Sequence, residues 1–347
     1  MTFILPGIAP RPVGGYKVVY QYANDLVARN HAVSVIHMRM SHLKPTSYRH
    51  RAVTETRYAL QRRYRPAWAR LAPEVQVRNF AVADEHHVPV SDVVVATSVG
   101  TADLVHRLTG PRTRGVYLIQ HFEDFTMPPD AVLETWRYPL TRVVVSGWLK
   151  SIADKHGLPA TLVENGVDTD HFIPGRAIDS RPRSVLAMVS DQAFKRTDLI
   201  VDAFKAIATD EPTTQLQTFG ACPRPAGLHP NVSHFQNPEP RALRQLYQEA
   251  QVFVCASDWE GFGLPALEAM ACGAAVVSTD NGGVPSFAGD AAVIVRRGNA
   301  RAIGEATTAL LNSRQKLSDV AAKGLSRAED LSLRSAADRF EAVLFGS

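Results

Sequence analysis

The sequence predicts an α/β protein made of two doubly wound domains. Short apolar runs rich in β-branched residues alternate with stretches of helical periodicity along nearly the whole chain. A segment rich in proline, glycine and charge interrupts this alternation near residues 172–183, after which the alternation starts again. A chain of 347 residues is also long enough for two domains. Helices between apolar strands indicate βαβ units with parallel sheets.

The first half of the chain begins with a short strand, a loop that contains Gly14-Gly15 and a helix over residues 17–29. Later β-branched runs predict further strands. Together with the first one, the predicted strands cover residues 3–5, 32–37, 75–77, 93–95, 115–119 and 143–145. These runs lack clean polar alternation, which is typical of strands buried on both faces of a sheet.

The second half repeats the alternation of strands and helices. Strands are predicted over residues 185–189, 215–219, 232–235, 252–254, 275–277 and 293–295, and helices over 195–208, 241–250, 264–271 and 301–311. Two helical stretches without an intervening strand, 315–329 and 333–344, close the chain. Ligands of doubly wound sheets bind at the carboxyl ends of the strands, so the crevice between two such domains is the expected active site.

Composition excludes several classes of protein. Apolar residues make up 45% of the chain and charged residues 21%, which excludes a disordered chain or a disulfide scaffold. A net charge of +4 is too small for a nucleic-acid binder, and three cysteines without a CxxC pair argue against a structural zinc site. No apolar run approaches the length of a spanning helix, and the first residues lack the cationic start of a signal peptide. We therefore expect a cytoplasmic protein.

The positive charge is concentrated in residues 39–78, which contain ten basic and two acidic residues. One interpretation is a solvated helix face. The other is peripheral contact with an anionic membrane at the inner face, because Tyr48, Tyr58, Tyr64 and Trp68 lie among the arginines and could sit at the headgroup level. RNA binding would need a recognisable module, and none appears in the sequence.

Residues 252–287 hold the most informative pattern of chemistry-bearing residues. A buried strand leads into a polar loop with Glu260, a glycine-rich turn with Gly261 and Gly263, and a short helix with Glu268. The backbone of the glycines can approach a ligand closely, and the start of the helix favours an anion such as a diphosphate. Two carboxylates near a phosphate are favourable when each accepts hydrogen bonds from sugar hydroxyls. The alternative is a pair of exposed carboxylates at the helix end.

The Glu260-x7-Glu268 spacing, within the string EGFGLPALEAMACG, resembles the signature of the retaining GT-B glycosyltransferases of family 4. The resemblance extends over nearly the whole chain. Its other parts are the Gly14-Gly15 loop, Gln120-His121, the turn Asn165-Gly166-Val167-Asp168, Lys195-Arg196 with the helix that follows, residues 247–257, and Asp330-Leu331-Ser332-Leu333. A lone double glycine is weak evidence, but the ordered set is specific.

The resemblance implies a GT-B fold, in which two Rossmann-like domains face one another across a cleft. Residues 1–172 would form the N-terminal acceptor domain and residues 173–328 the C-terminal nucleotide-sugar donor domain. Residues 329–347 would form a terminal helix that packs back on the N-terminal domain.

The resemblance also implies a role for each matching residue. In the catalytic group, Lys195 neutralises the diphosphate, Glu260 contacts hydroxyls of the transferred sugar and His121 faces that sugar from the other domain. In the donor-binding group, Glu268 holds the ribose hydroxyls, Arg196 joins Lys195 at the diphosphate, Gly15 approaches the diphosphate, and the backbone of Gly261, Phe262, Gly263 and Leu264 meets the diphosphate and sugar.

The implied reaction moves a sugar, with retention, from a nucleoside-diphosphate sugar to a hydroxyl of a saccharide or lipid-linked saccharide. The family uses a front-face route and needs neither a covalent carboxylate nor a metal, and we expect no cofactor. Residues 120–125 resemble the rhamnosyltransferase branch, which suggests a dTDP-rhamnose donor. The chain departs from the family at Ser190, where an arginine is usual, and at Ser286, where a glutamate is common. Arg196 could replace that arginine.

Three other functions share part of this sequence pattern. A nicotinamide dehydrogenase shares the doubly wound sheet but needs GxGxxG after the first strand, and residues 6–15 do not supply it. A GT-B sugar-nucleotide epimerase would use the same donor site without an acceptor. A non-catalytic carbohydrate-binding relative is a third possibility, and the intact pair of glutamates weighs against it.

Several smaller motifs have two interpretations each, one structural and one functional. Lys195 and Arg196 could be a solvated first helical turn, and His121 could be a structural histidine. Asp168-Thr169-Asp170 has the form of a metal-binding DxD, although turn formation explains it better. The remaining two sets are His86-His87, as exposed loop residues or metal ligands, and Glu123-Asp124, as loop residues or as groups that orient or deprotonate an acceptor hydroxyl.

Overall fold

The computed structural model describes residues 1–39, 58, 60, 61 and 65–346. The chain divides into two units. Unit 1 contains Met1–Val163 together with the residues from Ala336 onward, and unit 2 contains Glu164–Ser335.

Unit 1 is built on a parallel sheet that has seven strands within the described residues, in the order β3-β2-β1-β4-β5-β6-β7. The strands are β1 Thr2–Leu5, β2 Ser34–Met38, β3 Gln76–Phe80, β4 Val93–Ala96, β5 Arg114–Ile119, β6 Thr141–Val144 and β7 Thr161–Leu162. The helices among them are α1 Gly14–Ala28, α2 Val99–Leu108, α3 Pro129–Trp136 and α4 Gly147–Lys155. All four residues of β1 and of β4 are buried, which confirms the prediction of strands covered on both faces.

The order of the strands reverses between β1 and β4, which are neighbours in the sheet of unit 1. Helix α1 follows β1 and helix α2 follows β4, so both helices begin at the carboxyl edge beside this switch point. Ligands of open α/β sheets bind at such a point. The double-glycine loop and the start of α2 therefore occupy the part of unit 1 where a ligand is expected.

Unit 2 contains a second parallel sheet, with six strands in the order β10-β9-β8-β11-β12-β13 among the described residues. The strands are β8 Ser184–Met188, β9 Gln215–Gly220, β10 Ser233–Gln236, β11 Val252–Cys255, β12 Ala275–Thr279 and β13 Ala292–Val295. The helices are α5 Thr197–Asp210, α6 Pro240–Glu249, α7 Leu264–Ala271, α8 Gly283–Ala288, α9 Ala300–Leu311 and α10 Arg314–Asp330. The switch point of this sheet lies between β8 and β11.

The final helix, α11 (Leu333–Phe345), joins unit 1. The ring of Phe340 is fully buried and stacks on Tyr22, with 4.3 Å between the ring centroids. On the surface, Glu341 accepts a hydrogen bond from Arg29 at 2.7 Å and pairs with His31 at 2.6 Å. The expectation that the last helix packs on the N-terminal domain is confirmed.

The boundary between the units lies at residues 163 and 164, before the predicted boundary at 172 and 173, and residues 329–335 belong to unit 2. The reason is a backbone connection to the segment that leads into α11. The N–H of Val167 donates to the carbonyl of Leu331, and the N–H of Leu333 donates to the carbonyl of Val167, both at 2.8 Å. A Cβ on Gly166 would approach the carbonyl oxygen of Ser332 to 2.4 Å, so this turn requires a glycine.

Most of the basic segment predicted to contact a membrane lies outside the described residues. This applies to Lys44, Tyr48, Arg49, Arg51, Arg57, Arg62, Arg63 and Tyr64. Two described members of the set have other partners: the guanidinium of Arg65 donates to the carbonyl of Ala72 at 2.9 Å, and the indole of Trp68 donates to the carbonyl of Ala9 at 2.8 Å. Their polar groups hold loops of unit 1 in place, and contact of this segment with a membrane stays a prediction.

Among the described residues, the helices are all too short or too polar to cross a bilayer.

Candidate active site

Two loops meet at the switch point of unit 2, one after β8 and one after β11. The first contains a short 3-10 turn, Ala193–Lys195, followed by Arg196 in the left-handed region at φ +50°. Helix α5 therefore begins at Thr197, and the predicted start at Lys195 is wrong, because a left-handed residue interrupts the helical backbone. The N–H of Asp258, in the second loop, donates to the carbonyl of Phe194 at 2.8 Å and ties the two loops together.

These loops bring Lys195 and Glu260 into direct contact. The ammonium Nζ of Lys195 lies 2.7 Å from Oε1 and 2.8 Å from Oε2 of Glu260. Their side chains are 15% and 8% exposed. Such a pair is little screened, and removing one partner of a buried pair typically costs about 3–5 kcal/mol. Glu260 is therefore not an exposed helix-end carboxylate, and Lys195 is not part of a solvated first turn.

Further groups fix the position of Glu260. The hydroxyl of Ser257 donates to Oε1 of Glu260 at 2.7 Å, and the thiol of Cys255 lies 3.8 Å from the same oxygen. The backbone N–H of Glu260 donates to the carbonyl of Asn281 at 3.0 Å. Burial, with the nearby charge of Glu260, raises the pKa of the Cys255 thiol to about 11, so this thiol remains neutral at neutral pH.

Glu268 lies on α7 and is 5% exposed. The hydroxyl of Tyr247, on α6, donates to Oε2 of Glu268 at 3.2 Å. Burial first, and then the negative charge of Glu268, raise the pKa of Tyr247 well above its ordinary value. Tyr247 therefore remains protonated, and its hydroxyl orients the carboxylate as a fixed donor. The alternative of an exposed helix-end carboxylate is therefore excluded for Glu268 as well.

The turn before α7 depends on its glycine. Gly263 has φ +104°, and a Cβ at this position would approach Cγ2 of Val284 to 2.5 Å. Phe262 is buried, and its ring stacks on Phe287 with 4.6 Å between centroids. Any contact of Phe262 with a ligand would therefore come from its backbone, as predicted for Gly261, Phe262, Gly263 and Leu264. Internal packing is a second reason for the glycine, besides the close approach of a ligand.

Arg196 has two acidic partners. Its guanidinium contacts the carboxylate of Asp258 at 3.1 Å and that of Asp198 at 2.7 Å. These contacts offset the unfavourable position of a cation at the start of a helix. Nearby, the backbone N–H of Ser190 donates to the hydroxyl of Thr197 at 3.0 Å. Whether Arg196 replaces the arginine that the family usually has at the position of Ser190 stays a prediction.

Gly15 and His121 belong to unit 1. Gln120 donates from Nε2 to the carbonyl of Gly15 at 3.2 Å, and a Cβ on Gly15 would press on this carboxamide. The imidazole Nδ1 of His121 donates to the carbonyl of Phe122 at 2.9 Å, and the edge of its ring packs against Phe125. The contacts of His121 and Gly15 with a donor stay predictions.

The side chain of Glu123, which follows β5 in the sequence, lies at the start of α2 in unit 1. One of its carboxylate oxygens accepts the backbone N–H of Val99 at 3.2 Å. Burial raises the pKa of Glu123 to about 8, while the hydrogen bond from Val99 acts in the opposite direction. A carboxyl group with this pKa is largely protonated at neutral pH, so it fits hydrogen bonding to a hydroxyl better than proton abstraction from one.

Residues 183–313, which lie within unit 2 and include Lys195, Glu260 and Glu268, match the family of glycosyl transferases group 1. This segment of the chain belongs to this family. The match covers the switch-point loops of unit 2 and both buried glutamates.

Two curated relatives of the family illustrate the similarity. The lipopolysaccharide core biosynthesis mannosyltransferase LpsB of Rhizobium meliloti is 27% identical over 197 residues, which is 49% of this chain and 56% of the relative. The O-antigen chain mannosyltransferase B of Escherichia coli is 37% identical over 90 residues, which is 26% of this chain and 24% of the relative. The chain thus matches about half or less of the length of these relatives.

Solved structures resemble the chain over nearly its whole length. The sucrose-phosphate synthase of Thermosynechococcus elongatus gives a TM-score of 0.75 at 15% identity, over 99% of this chain and 97% of the other. The Anabaena protein Alr3699/HepE, in complex with UDP and glucose, gives 0.73 at 14% identity, over 100% and 99%. Structural similarity at such low sequence identity shows the fold alone, and this fold is that of the GT-B class.

The smaller motifs that the sequence offered are turns and surface residues in this chain. Oδ1 of Asp168 accepts the N–H groups of Asp170 at 3.2 Å and of His171 at 3.0 Å, which confirms turn formation. His86 is almost fully exposed and contacts Asp84 at 2.8 Å. Among the described residues, no group of histidine, cysteine and acidic side chains is arranged to hold a metal.

Three residues with direct roles in the geometry were not singled out by sequence reasoning: Ser257, Tyr247 and Asn281. Ser257 could have been found from its place in the same loop as Glu260, three positions before it. Tyr247 and Asn281 reach the glutamates from other elements, and spacing along the chain gives no signal for such contacts.

Proposed function

We propose that this chain is a retaining glycosyltransferase that moves a sugar from a nucleoside-diphosphate sugar to an acceptor hydroxyl. The observation that carries the proposal is the buried Lys195–Glu260 pair at the switch point of unit 2, in the loop that leads into α7 and Glu268. Membership of residues 183–313 in the glycosyl transferases group 1 family supports it. Because the curated relatives match only in part, the activity remains a proposal for this chain.

The charges in unit 2 suit the reaction. Breaking a glycosyl–phosphate bond places negative charge on the departing diphosphate and positive charge on the sugar ring. The ammonium of Lys195 and the positive end of the α7 helix dipole would stabilise the first charge. Glu260 would accept hydrogen bonds from hydroxyls of the transferred sugar. Its negative charge would lie close enough to stabilise the positive charge on the sugar ring. We assign Arg196, Gly261, Phe262, Gly263 and Leu264 to the donor site on the same basis.

Glu268 is assigned to the ribose of the donor. Its carboxylate accepts a hydrogen bond from Tyr247, which orients it, and carboxylate oxygens are acceptors that suit hydroxyl donors. In the proposed enzyme, His121 and Gly15 of unit 1 contact the donor as the family resemblance implies. Unit 1 would then bind the acceptor.

The donor sugar and the acceptor follow from weaker evidence. The two curated relatives are named as mannosyltransferases of lipopolysaccharide core and of O-antigen chains. We therefore propose a saccharide or lipid-linked saccharide acceptor and place mannose first among the donor sugars to be tested. Neither relative supports the expectation of rhamnose, which remains one arm of the same test.

The test is a thermal-shift screen of UDP, GDP and dTDP and their sugars, followed by turnover assays with the best ligand. A bound donor at 100 times its Kd should add about 2.7 kcal/mol to the free energy of unfolding. We expect a nucleoside diphosphate to stabilise the protein and K195A to abolish that stabilisation. Failure of every nucleotide to shift the melting temperature would contradict the proposal.

Incubation of the donor without an acceptor separates the remaining alternatives. An epimerase would convert the donor sugar into its isomer, which anion-exchange chromatography or NMR detects. A non-catalytic relative would leave all donors unchanged even with acceptor present. A transferase should release the nucleoside diphosphate only when an acceptor hydroxyl is supplied.

A further inference from the structure

The side chain of Ser257 is buried in unit 2, and its hydroxyl is hydrogen-bonded there. Ser257 is 2% exposed, and its hydroxyl donates to Oε1 of Glu260 at 2.7 Å. The carbonyl of Ser257 accepts the hydroxyl of Thr279, on β12. The backbone N–H of Glu260 is held by Asn281 at 3.0 Å. Both ends of the Ser257–Glu260 segment are therefore anchored to the next strand and its loop.

The partners of the Glu260 carboxylate are unequal in mobility. Lys195 supplies two contacts, at 2.7 and 2.8 Å, through a long flexible side chain. Ser257 supplies its contact through a short side chain on an anchored backbone. In the proposed reaction the ammonium of Lys195 is attracted to the diphosphate, whose charge exceeds that of a single carboxylate. As Lys195 turns towards the diphosphate, the hydrogen bond from Ser257 keeps Glu260 in its orientation.

We propose that Ser257 is a positioning residue for Glu260: it holds the carboxylate in place, and keeps it ionised, while Lys195 is shared with the donor diphosphate. Ser257 touches neither the donor nor the acceptor in this proposal and acts only through Glu260. The inference rests on the proposed function, because it concerns the reaction that Glu260 would serve.

The kinetic test compares S257A with the wild-type enzyme. A hydrogen bond to a charged group is strong, so we expect kcat to fall about tenfold or more, with the KM for the donor changed less than threefold. S257T keeps the hydroxyl and should recover most of the activity. S257C keeps the shape of the side chain but replaces the hydroxyl with a weaker donor, so it should give an intermediate kcat. This variant also keeps the test decisive if threonine does not fit the buried site.

Ser184 provides a matched control in the same unit. It is also 2% exposed, and its hydroxyl donates to the carbonyls of Pro182 and Glu249, at the opposite end of the sheet from the catalytic loops. S184A should lower the melting temperature by about as much as S257A but leave kcat unchanged. An equal loss of kcat in S184A would show that the effect is general destabilisation and would overturn the inference.

A second measurement does not depend on turnover. Loss of a hydrogen bond to the ionised form should raise the pKa of Glu260, by about one unit. Carboxyl ¹³C NMR of glutamate-labelled protein measures this pKa, with the signal assigned by its absence in E260Q. An unchanged pKa in S257A would refute the inference even in an active enzyme. A wild-type protein that binds no nucleotide would instead refute the proposed function, and the NMR result would still decide whether Ser257 controls Glu260.

Discussion

Lys195 and Glu260 are the residues on which the proposed chemistry depends most directly. The ammonium of Lys195 is paired with both carboxylate oxygens of Glu260, so a diphosphate that binds Lys195 must compete with that carboxylate. The same pair also keeps the lysine near the carboxyl edge of the sheet. In the proposed enzyme, Glu260 would thus lower the affinity for the departing diphosphate and would also contact hydroxyls of the transferred sugar. A single substitution tests both effects.

The substitution is E260Q. It removes the competing charge, so we expect the affinity for a nucleoside diphosphate without sugar to rise about threefold to tenfold, while transferase turnover falls at least about 100-fold. Isothermal titration calorimetry with the free diphosphate and a turnover assay measure the two effects. D258N, which removes a partner of Arg196 in the same loop, is the control and should not raise the affinity as much. A lower diphosphate affinity in E260Q would show that the carboxylate does not compete.

Glu123 allows a prediction about pH and stability. Its pKa is raised from an ordinary value of 4.5 to about 8 by burial, so the folded protein holds this proton more tightly than the unfolded chain. The unfolded state then loses its proton first as the pH rises, and the contribution of Glu123 to stability decreases between about pH 4.5 and 8. Below pH 4.5 the contribution is fully present.

E123Q cannot ionise and should lack this decrease. We expect the difference in the free energy of unfolding, E123Q minus wild type, to become more positive from pH 5 to pH 8, because only the wild type loses stability through this group. Urea unfolding at both pH values measures the difference, and E85Q, at an exposed site, is the control. A difference that stays constant with pH would mean that Glu123 titrates normally.

At the scale of elements, the loops after β8 and β11 and the start of α7 create the site. The Lys195–Glu260 contact comes from the loops, whereas the Tyr247–Glu268 contact joins α6 and α7. The left-handed conformations of Arg196 and Gly263 set where α5 and α7 begin, and they therefore set where the N–H groups of these helices point. For Gly263 the conformation and the packing against Val284 act together.

G263A should be destabilising because it combines backbone strain at φ +104° with a contact of 2.5 Å to Cγ2 of Val284. Gly227 is the matched control in the same unit, since it has φ +80° but only an ordinary contact of 3.5 Å with Val201. We expect G227A to cost about 1 kcal/mol and G263A about 2–4 kcal/mol in the free energy of unfolding. Equal costs would mean that Val284 moves aside freely. Donor affinity should fall only in G263A.

At the scale of the whole molecule, the chain forms two units, and its last helix returns to the first. The buried ring of Phe340 fills a position between Tyr22 and Phe3 of unit 1, while Phe345 near the end of the same helix is 41% exposed. The buried core of unit 1 therefore includes a residue of the final helix, α11.

F340A should destabilise unit 1 by about 3–5 kcal/mol, the usual cost of truncating a buried phenylalanine. F345A is the control and should cost far less. Limited proteolysis with mass spectrometry follows the two units separately, and cleavage in F340A should appear first within residues 1–163. Preferential cleavage within residues 164–335 would contradict the assignment of the final helix to unit 1.

The basic segment of residues 39–78 remains the basis for peripheral membrane contact. Because Arg65 holds backbone carbonyls, the test leaves it in place and replaces Arg62 and Arg63, which lie outside the described residues. We expect salt-sensitive flotation with anionic liposomes, reduced in R62Q/R63Q, since each cation near such a surface is worth about 1 kcal/mol. R296Q/R297Q in unit 2 is the control pair. No flotation at low salt would refute the proposal.

The sequence by itself determined the two parallel sheets, the alternation of strands and helices in both halves, and the family resemblance. Apolar runs and glycines act locally, and strands buried on both faces need such runs wherever they lie. It also singled out Lys195, Glu260 and Glu268 through the family signature. A pattern of spacing can mark residues that serve one site even though it says nothing of their contacts.

Only the tertiary structure decided which of these groups touch. The contact between Lys195 and Glu260 depends on β8 and β11 lying side by side, although 65 positions separate the two residues along the chain. The same holds for Tyr247 on Glu268 and for the end of the chain on unit 1. The start of α5 after a left-handed Arg196 also had no sequence signal, because its backbone is fixed by contacts with the neighbouring loop. Burial and charge pairing arise from the packing of distant segments, and a linear pattern does not contain that information.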